Sequence, residues 1–232
     1  MGFLDPTYMC FMIPAILLMM LAQWYVSSSY SKWSRVQVRS GLTGAQAAQR
    51  LIQSGGLYNV NIQPIAGNLT DHYDPRTKVL SLSQGVYQGN SVAALAVAAH
   101  ELGHAMQDSE GYAPLRLRAL LVPAVNIGSY LGWILIILGI IIGQLGLAWV
   151  GVLVFSGGLV FALVTVPVEL NASGRAKRLL ASTGLISGSD EESGVNRVLN
   201  AAALTYVAGA VTAALQLMYY VFMVAGMGRR RD

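Results

Sequence analysis

Two of the chain's three histidines lie four residues apart, in His100-Glu101-Leu102-Gly103-His104. On a helix that spacing projects both imidazoles from one face, where both can bind a single tetrahedral zinc ion. Glu101 is rotated by about 100° from His100, so its carboxylate can reach a zinc-bound water without being a ligand. Zinc lowers the pKa of such a water to about 7, and a neighbouring carboxylate can take its proton and hand it to a leaving amine. The residues therefore point to peptide hydrolysis with one Zn2+ per chain, held by His100 and His104, with Glu101 as general base. The alternative is a catalytically silent zinc-binding membrane scaffold, which needs the histidines but has no use for Glu101.

Catalysis at such a centre needs a third protein ligand and an open position for water. His72, Asp108, Glu110 and Glu169 are the candidates. Glu169, in Pro167-Val168-Glu169-Leu170-Asn171-Ala172-Ser173, directly follows a long apolar run. A carboxylate bordering such a run is expensive unless paired or metal-bound, and a helix starting near Pro167 is expected to aim it back toward the membrane face. His72, Tyr73 and Arg175 are candidates for holding the charge of the tetrahedral intermediate. A single cysteine, Cys10, excludes an intramolecular disulfide framework and any multi-cysteine metal site.

The histidine pair needs a rigid, dry helix. The sequence offers one from about Val92 to Asp108, capped by Asn90 or Ser91, whose run Ala93–Ala99 would bury it. Before it lies a small α+β unit. Thr43 caps an amphipathic helix with Ala47, Ala48, Leu51 and Ile52 on one stripe, and Gly55-Gly56 ends it. Strands are expected at Val60–Gln63, Leu69–Tyr73 and Val79–Ser83, with a turn at Asp74–Thr77. Val79–Leu82, just ahead of the active helix, is expected to present an edge to which an extended peptide adds.

The remainder is membrane. Of 232 residues, 54% are hydrophobic and 11% charged, against about 25% charged in an ordinary soluble domain, and the mean hydropathy is +0.52. Four apolar stretches, about Tyr8–Val26, Leu120–Ile142, Leu145–Val166 and Ala201–Ala225, approach the ~20 residues of a spanning helix. The first lacks the basic head of a signal peptide, so a retained helix is expected. Gly128/Gly132, Gly139/Gly143 and Gly209/Ala213 are spaced for close helix approach, and the Gly143–Gly146 link makes spans two and three a tight hairpin. The fold class is thus a mainly α polytopic membrane protein, with about four transmembrane helices and a small cytoplasmic α+β zincin-like metalloprotease unit. The expected organisation is 1–30 first transmembrane segment, 31–119 cytoplasmic unit with the active helix, 120–166 hairpin, 167–200 cytoplasmic helical segment with the third ligand, and 201–232 fourth segment and basic tail.

Charge placement sets orientation. Lys32, Arg35, Arg39, Arg50, Arg76, Lys78, Arg116 and Arg118 lie between spans one and two, and Arg175, Lys177, Arg178 and Arg197 between spans three and four. That puts the N-terminus outside and both basic loops, with the active site, in the cytoplasm. Arg229, Arg230 and Arg231 oppose this, since four full crossings place them outside. The net charge of +4 is explained by these loops and not by nucleic-acid binding. The spans contain no Asp, Glu, Lys, Arg or His, which argues against an ion transporter. The expected partners are the lipid bilayer and a protein or peptide substrate.

The chain resembles the YugP-type neutral zinc metallopeptidases of bacterial membranes. The resemblance is carried by Asp5-Pro6-Thr7-Tyr8, Leu69-Thr70-Asp71-His72-Tyr73-Asp74-Pro75-Arg76, Ala98–Gln107 and Val168–Ser173. That family is similar to HtpX and the CAAX prenyl proteases, in which a Glu on a later helix completes a gluzincin-like site. The resemblance implies Glu169 as third ligand and a bacterial cytoplasmic membrane location. Those relatives carry an Asp four residues after that Glu, supporting the first histidine. Here Ser173 stands in that position, with Asn171 two residues earlier.

Overall fold

A computed structural model of the chain describes residues 5–228; Arg229, Arg230 and Arg231 of the expected basic tail lie outside the described residues. The elements run α1 (Pro6–Trp33), α2 (Gly44–Ser54), β1 (Asn61–Ile65), β2 (His72–Asp74), β3 (Val79–Ser83), α3 (Gln84–Tyr87), α4 (Val92–Ser109), α5 (Ala113–Ile141), α6 (Leu145–Phe155), α7 (Gly157–Ser182) and α8 (Ser189–Gly228). The protein is a mainly α polytopic membrane protein. Among the described residues, four helical stretches are long and apolar enough to span a bilayer: Pro6–Trp33, Ala113–Ile141, Leu145–Ser182 and Ser189–Met227. The chain divides into two compact units, one of Met1–Ala22, Arg116–Pro167 and Thr205–Asp232, the other of Gln23–Leu115 and Val168–Leu204.

In the first unit, α5 and α6 form the expected hairpin, turned by Gly143 at φ 71°. Their backbones touch. A Cβ on Gly132 would run into the backbone of Gly151 and Phe155, one on Gly139 into Ala148, and one on Gly151 into Ile136, the close approach that small residues permit in lipid. Among the described residues, a Cβ on Gly209 would meet no neighbouring atom within 4 Å, so no close helix approach is seen at that glycine. The third span expected over Leu145–Val166 lies within the continuous apolar stretch Leu145–Ser182. Ser156, where α6 passes into α7, keeps a right-handed helical backbone, and its hydroxyl donates to the Leu153 carbonyl at 2.7 Å.

The second unit holds the sheet and the Ala-rich helix. Thr43 and Gln46 form a reciprocal capping box on α2, whose Ala47, Ala48, Leu51 and Ile52 are buried. Leu69 lies in the left-handed region at φ 55°, where a strand cannot form, so β2 begins only at His72. The Asp74 carboxylate folds the following turn by accepting from Arg76 N at 2.9 Å and Thr77 Oγ1 at 2.9 Å. The strand order is β1-β3-β2, with β1 parallel and β2 antiparallel to β3. β3 is therefore the central strand, and the expected peptide-accepting edge at Val79–Leu82 does not exist. Leu80 through Ser83 are all buried, which suits a strand covered on both sides. Ser91 caps α4 by accepting from Ala94 N at 3.1 Å. Val92–Ala96, Ala98, Ala99 and Leu102 then pack into a core with Leu80, Leu82, Leu180 and Leu199.

No helix starts at Pro167. α7 runs through it. A proline inside a helix removes the bond to the carbonyl four residues earlier, here that of Leu163, a loss that spanning helices tolerate where neighbouring groups re-satisfy the backbone. Glu169 consequently sits in mid-helix.

Candidate metal centre

α4 and α7 approach at Gly103. A Cβ on that residue would collide with the Ala172 carbonyl, so only glycine lets the two backbones meet at this level. The contact lies between the two histidines of α4 and one turn beyond Glu169 on α7. His100 Nε2 lies 3.2 Å and His104 Nε2 3.5 Å from Glu169 Oε2. The ligating atoms of the three residues all fall within 4.8 Å of one another. The two rings stand nearly perpendicular, 4.9 Å apart at 85°. Their side chains are 13%, 11% and 2% exposed, in the order His100, His104, Glu169, so the cluster is nearly dry. Two imidazole nitrogens and a carboxylate oxygen are a ligand set of catalytic zinc. A buried carboxylate facing two imidazoles matches that ion in charge and donor type.

Each histidine is held from behind. His100 Nδ1 meets Ser173 Oγ at 3.2 Å, and His104 Nδ1 meets Gln107 Oε1 at 3.0 Å. Such bonds fix ring orientation and free Nε2 for a metal. Gln107 is fully buried and donates to the Val168 carbonyl at 2.8 Å and to Asn171 Oδ1 at 3.0 Å. Asn171 also accepts from Arg175 Nε at 2.7 Å. The Arg175 guanidinium forms a two-pronged pair with Glu110 at 2.5 and 2.8 Å and lies 5.9 Å over the Tyr112 ring. That pairing holds the Glu110 carboxyl below the usual carboxylate range. Gln107 did not emerge from sequence reasoning. Its only signal there is an amide three residues after His104 on a helix whose flanks are otherwise apolar.

Glu101 is not among the clustered donors. Its Oε2 accepts from the Tyr73 backbone N–H at 3.1 Å, which places β2 beside it. Burial pushes its carboxyl up, the two histidines pull it back, and Glu169 and Asp71 push it up again, leaving it above the ordinary value. A carboxyl shifted in that direction is a stronger proton acceptor than a free one.

The other candidates are engaged elsewhere. Asp108 accepts from Tyr73 OH at 2.7 Å and from Lys78 Nζ at 2.5 Å. Burial, followed by the Asp108 hydrogen bond, pushes the Tyr73 phenol above its ordinary value. Glu110 is taken by Arg175. His72 is exposed, and its Nδ1 bonds the Thr70 carbonyl at 2.9 Å.

Residues 8–225 match the family model described as "Putative neutral zinc metallopeptidase". The chain is 46% identical over 211 residues to a protein of Bacillus subtilis (strain 168) named "Putative membrane protease YugP", covering 91% of this chain and 93% of that one. No solved structure matches the chain.

Proposed function

We propose that this chain, which belongs to the neutral zinc metallopeptidase family, is a zinc metalloendopeptidase of the bacterial cytoplasmic membrane that cuts membrane or membrane-proximal proteins. The observation that carries the proposal is the buried His100–His104–Glu169 cluster with Glu101 beside it but outside it. These three residues would hold one zinc ion in a gluzincin-like arrangement. Bound there, zinc supplies a Lewis acid for the scissile carbonyl and a water of lowered pKa. Glu101 takes the proton of the attacking water on its carboxylate and delivers it to the leaving amine nitrogen. Ser173 and Gln107 keep both rings oriented, and the apolar packing of α4 limits bulk water.

The substrate's backbone is expected along β2. Tyr73 lies opposite Leu80 of β3, yet its N–H is turned to Glu101, so the outer edge of β2 borders the reaction site. An extended peptide adding to that edge would run past Glu101. The Lys and Arg of the polar loops support a cytoplasmic site with the N-terminus outside.

The test is Glu101→Gln in purified protein, assayed on a membrane-protein panel with and without zinc. The variant keeps the size of the side chain and loses only the proton acceptor. Zinc content should persist while hydrolysis falls by about 10²–10⁴-fold. Undiminished, zinc-dependent hydrolysis by the variant would defeat the mechanism, and absence of hydrolysis by the wild type would favour a scaffold.

A further inference from the structure

The hydrogen bonds behind His104 have a fixed polarity that begins at a residue with no choice. Arginine is a donor only. Its Nε faces Asn171, so the amide atom that Asn171 presents must be the oxygen. The Gln107 atom facing that oxygen must then be its NH2, which also meets the Val168 carbonyl, a second acceptor. With both contacts requiring donors, the Gln107 carbonyl oxygen is left for His104. An acceptor at that position requires a proton on Nδ1 and leaves the Nε2 lone pair for the cluster. Glu110 fixes the start of the chain by gripping both terminal nitrogens of Arg175. His100 has no such dictation, because the hydroxyl of Ser173 can donate or accept.

We propose that Gln107 is a positioning residue for the metal, and that Arg175, through Asn171 and Gln107, sets the tautomer of His104. The relay does two things at once. It selects the ligating nitrogen, and it ties the ligand-bearing turn of α4 to the helix that carries Glu169. The fully buried amide is satisfied on every side only when these four residues are in register, so misplacing α7 would leave buried polar atoms unpaired. A neutral amide does this without adding a further carboxylate to a site that already holds Glu101 and Glu169.

The inference rests on the zinc reading above, and its test separates the two. Zinc affinity of the full-length protein in detergent is measured by competition with a chelator, and Co2+ replaces zinc as a probe of ligand geometry through its visible absorption. Gln107→Met keeps length and bulk and removes the amide. Its zinc affinity should fall by about 10–100-fold, the usual effect of losing such a partner, and the Co2+ spectrum should shift. Arg175→Met removes the origin of the polarity, together with the Glu110 pair, while leaving the Gln107 amide in place, and should give a smaller loss with a shift in the same direction. Should Gln107→Met fail to unfold cooperatively when metal-free, Arg175→Met decides alone. Zinc affinity within twofold of wild type and an unchanged Co2+ spectrum in the folded variants would overturn the relay. A wild type that binds no zinc would overturn the metalloprotease reading instead.

Discussion

At the scale of single residues, the donor set and its neighbours separate by what each is already bonded to. Glu169 is 2% exposed and touches both Nε2 atoms, whereas His72 is exposed and Asp108 and Glu110 are paired with cations. Glu169→Ala should therefore strip the metal, measured as zinc per chain after desalting, while His72→Ala should retain it; the reverse result would reassign the third ligand. Tyr73 makes a second case. Its phenol donates to Asp108, and its folded-state pKa stands above the ordinary value of 10.0. A raised pKa means the neutral form is favoured by folding. The associated stability is complete below about pH 10 and is lost as pH climbs toward the folded value. Thermal melts of the wild type should fall in that alkaline range, and Tyr73→Phe should flatten the dependence at a loss of about 1 kcal/mol at neutral pH. The same variant tests an oxyanion role. With the phenol committed to Asp108, hydrolysis should fall less than tenfold, whereas loss of a true oxyanion donor costs about 10²–10³. The histidine pair and Glu101 were legible in the sequence because helical periodicity alone puts i and i+4 on one face. Gln107 was not, since a neutral amide has no spacing rule and its importance comes entirely from what α7 brings opposite it.

At the scale of elements, Gly103 decides whether α4 and α7 can share a metal. Gly103→Ala places a methyl where the Ala172 carbonyl already lies. Overpacking of this kind costs about 1–3 kcal/mol, and here the helices must part along the line that joins the histidines to Glu169. Reduced melting temperature together with loss of zinc is expected. If zinc binding survives intact, the close approach is not what assembles the site. Sequence patterns placed α2, β3 and α4 closely because their signals are local: the Thr43 cap, the alternation of Val79–Ser83, the Ser91 cap. They misplaced what depends on non-local partners. β3 alternates whether it is central or at an edge, and only its pairing with both β1 and β2 shows which. Pro167 was read as a helix start, because in water it usually breaks a helix. The helix nevertheless continues through it, so Glu169 lies in mid-helix and not in a first turn.

At the scale of the whole chain, the question is which side of the membrane meets the substrate, and the proposed answer rests on charge placement. Lys and Arg are retained on the cytoplasmic side of short loops. The segment from Lys32 to Lys78 and that from Arg175 to Arg197 are basic, while the tip between α5 and α6, Ile142-Gly143-Gln144, carries no charge. On the proposed topology the two basic loops share one side and the neutral tip lies on the other, and the Lys/Arg bias is the ground for assigning the loops to the cytoplasm. His100, Glu101 and His104 belong to the first loop. Glu169 borders the second, and the sequence alone could place them on a common side only through this bias. Single cysteines at Ser54 and Ser189, both exposed, on a Cys10→Ser background, report the two loops separately. In intact cells both should resist a membrane-impermeant maleimide and react only after the membrane is opened. A cysteine at Gln144 should behave in the opposite way. Labelling of Ser54→Cys or Ser189→Cys in sealed cells would place that loop outside, and with it the site's access to protein substrates.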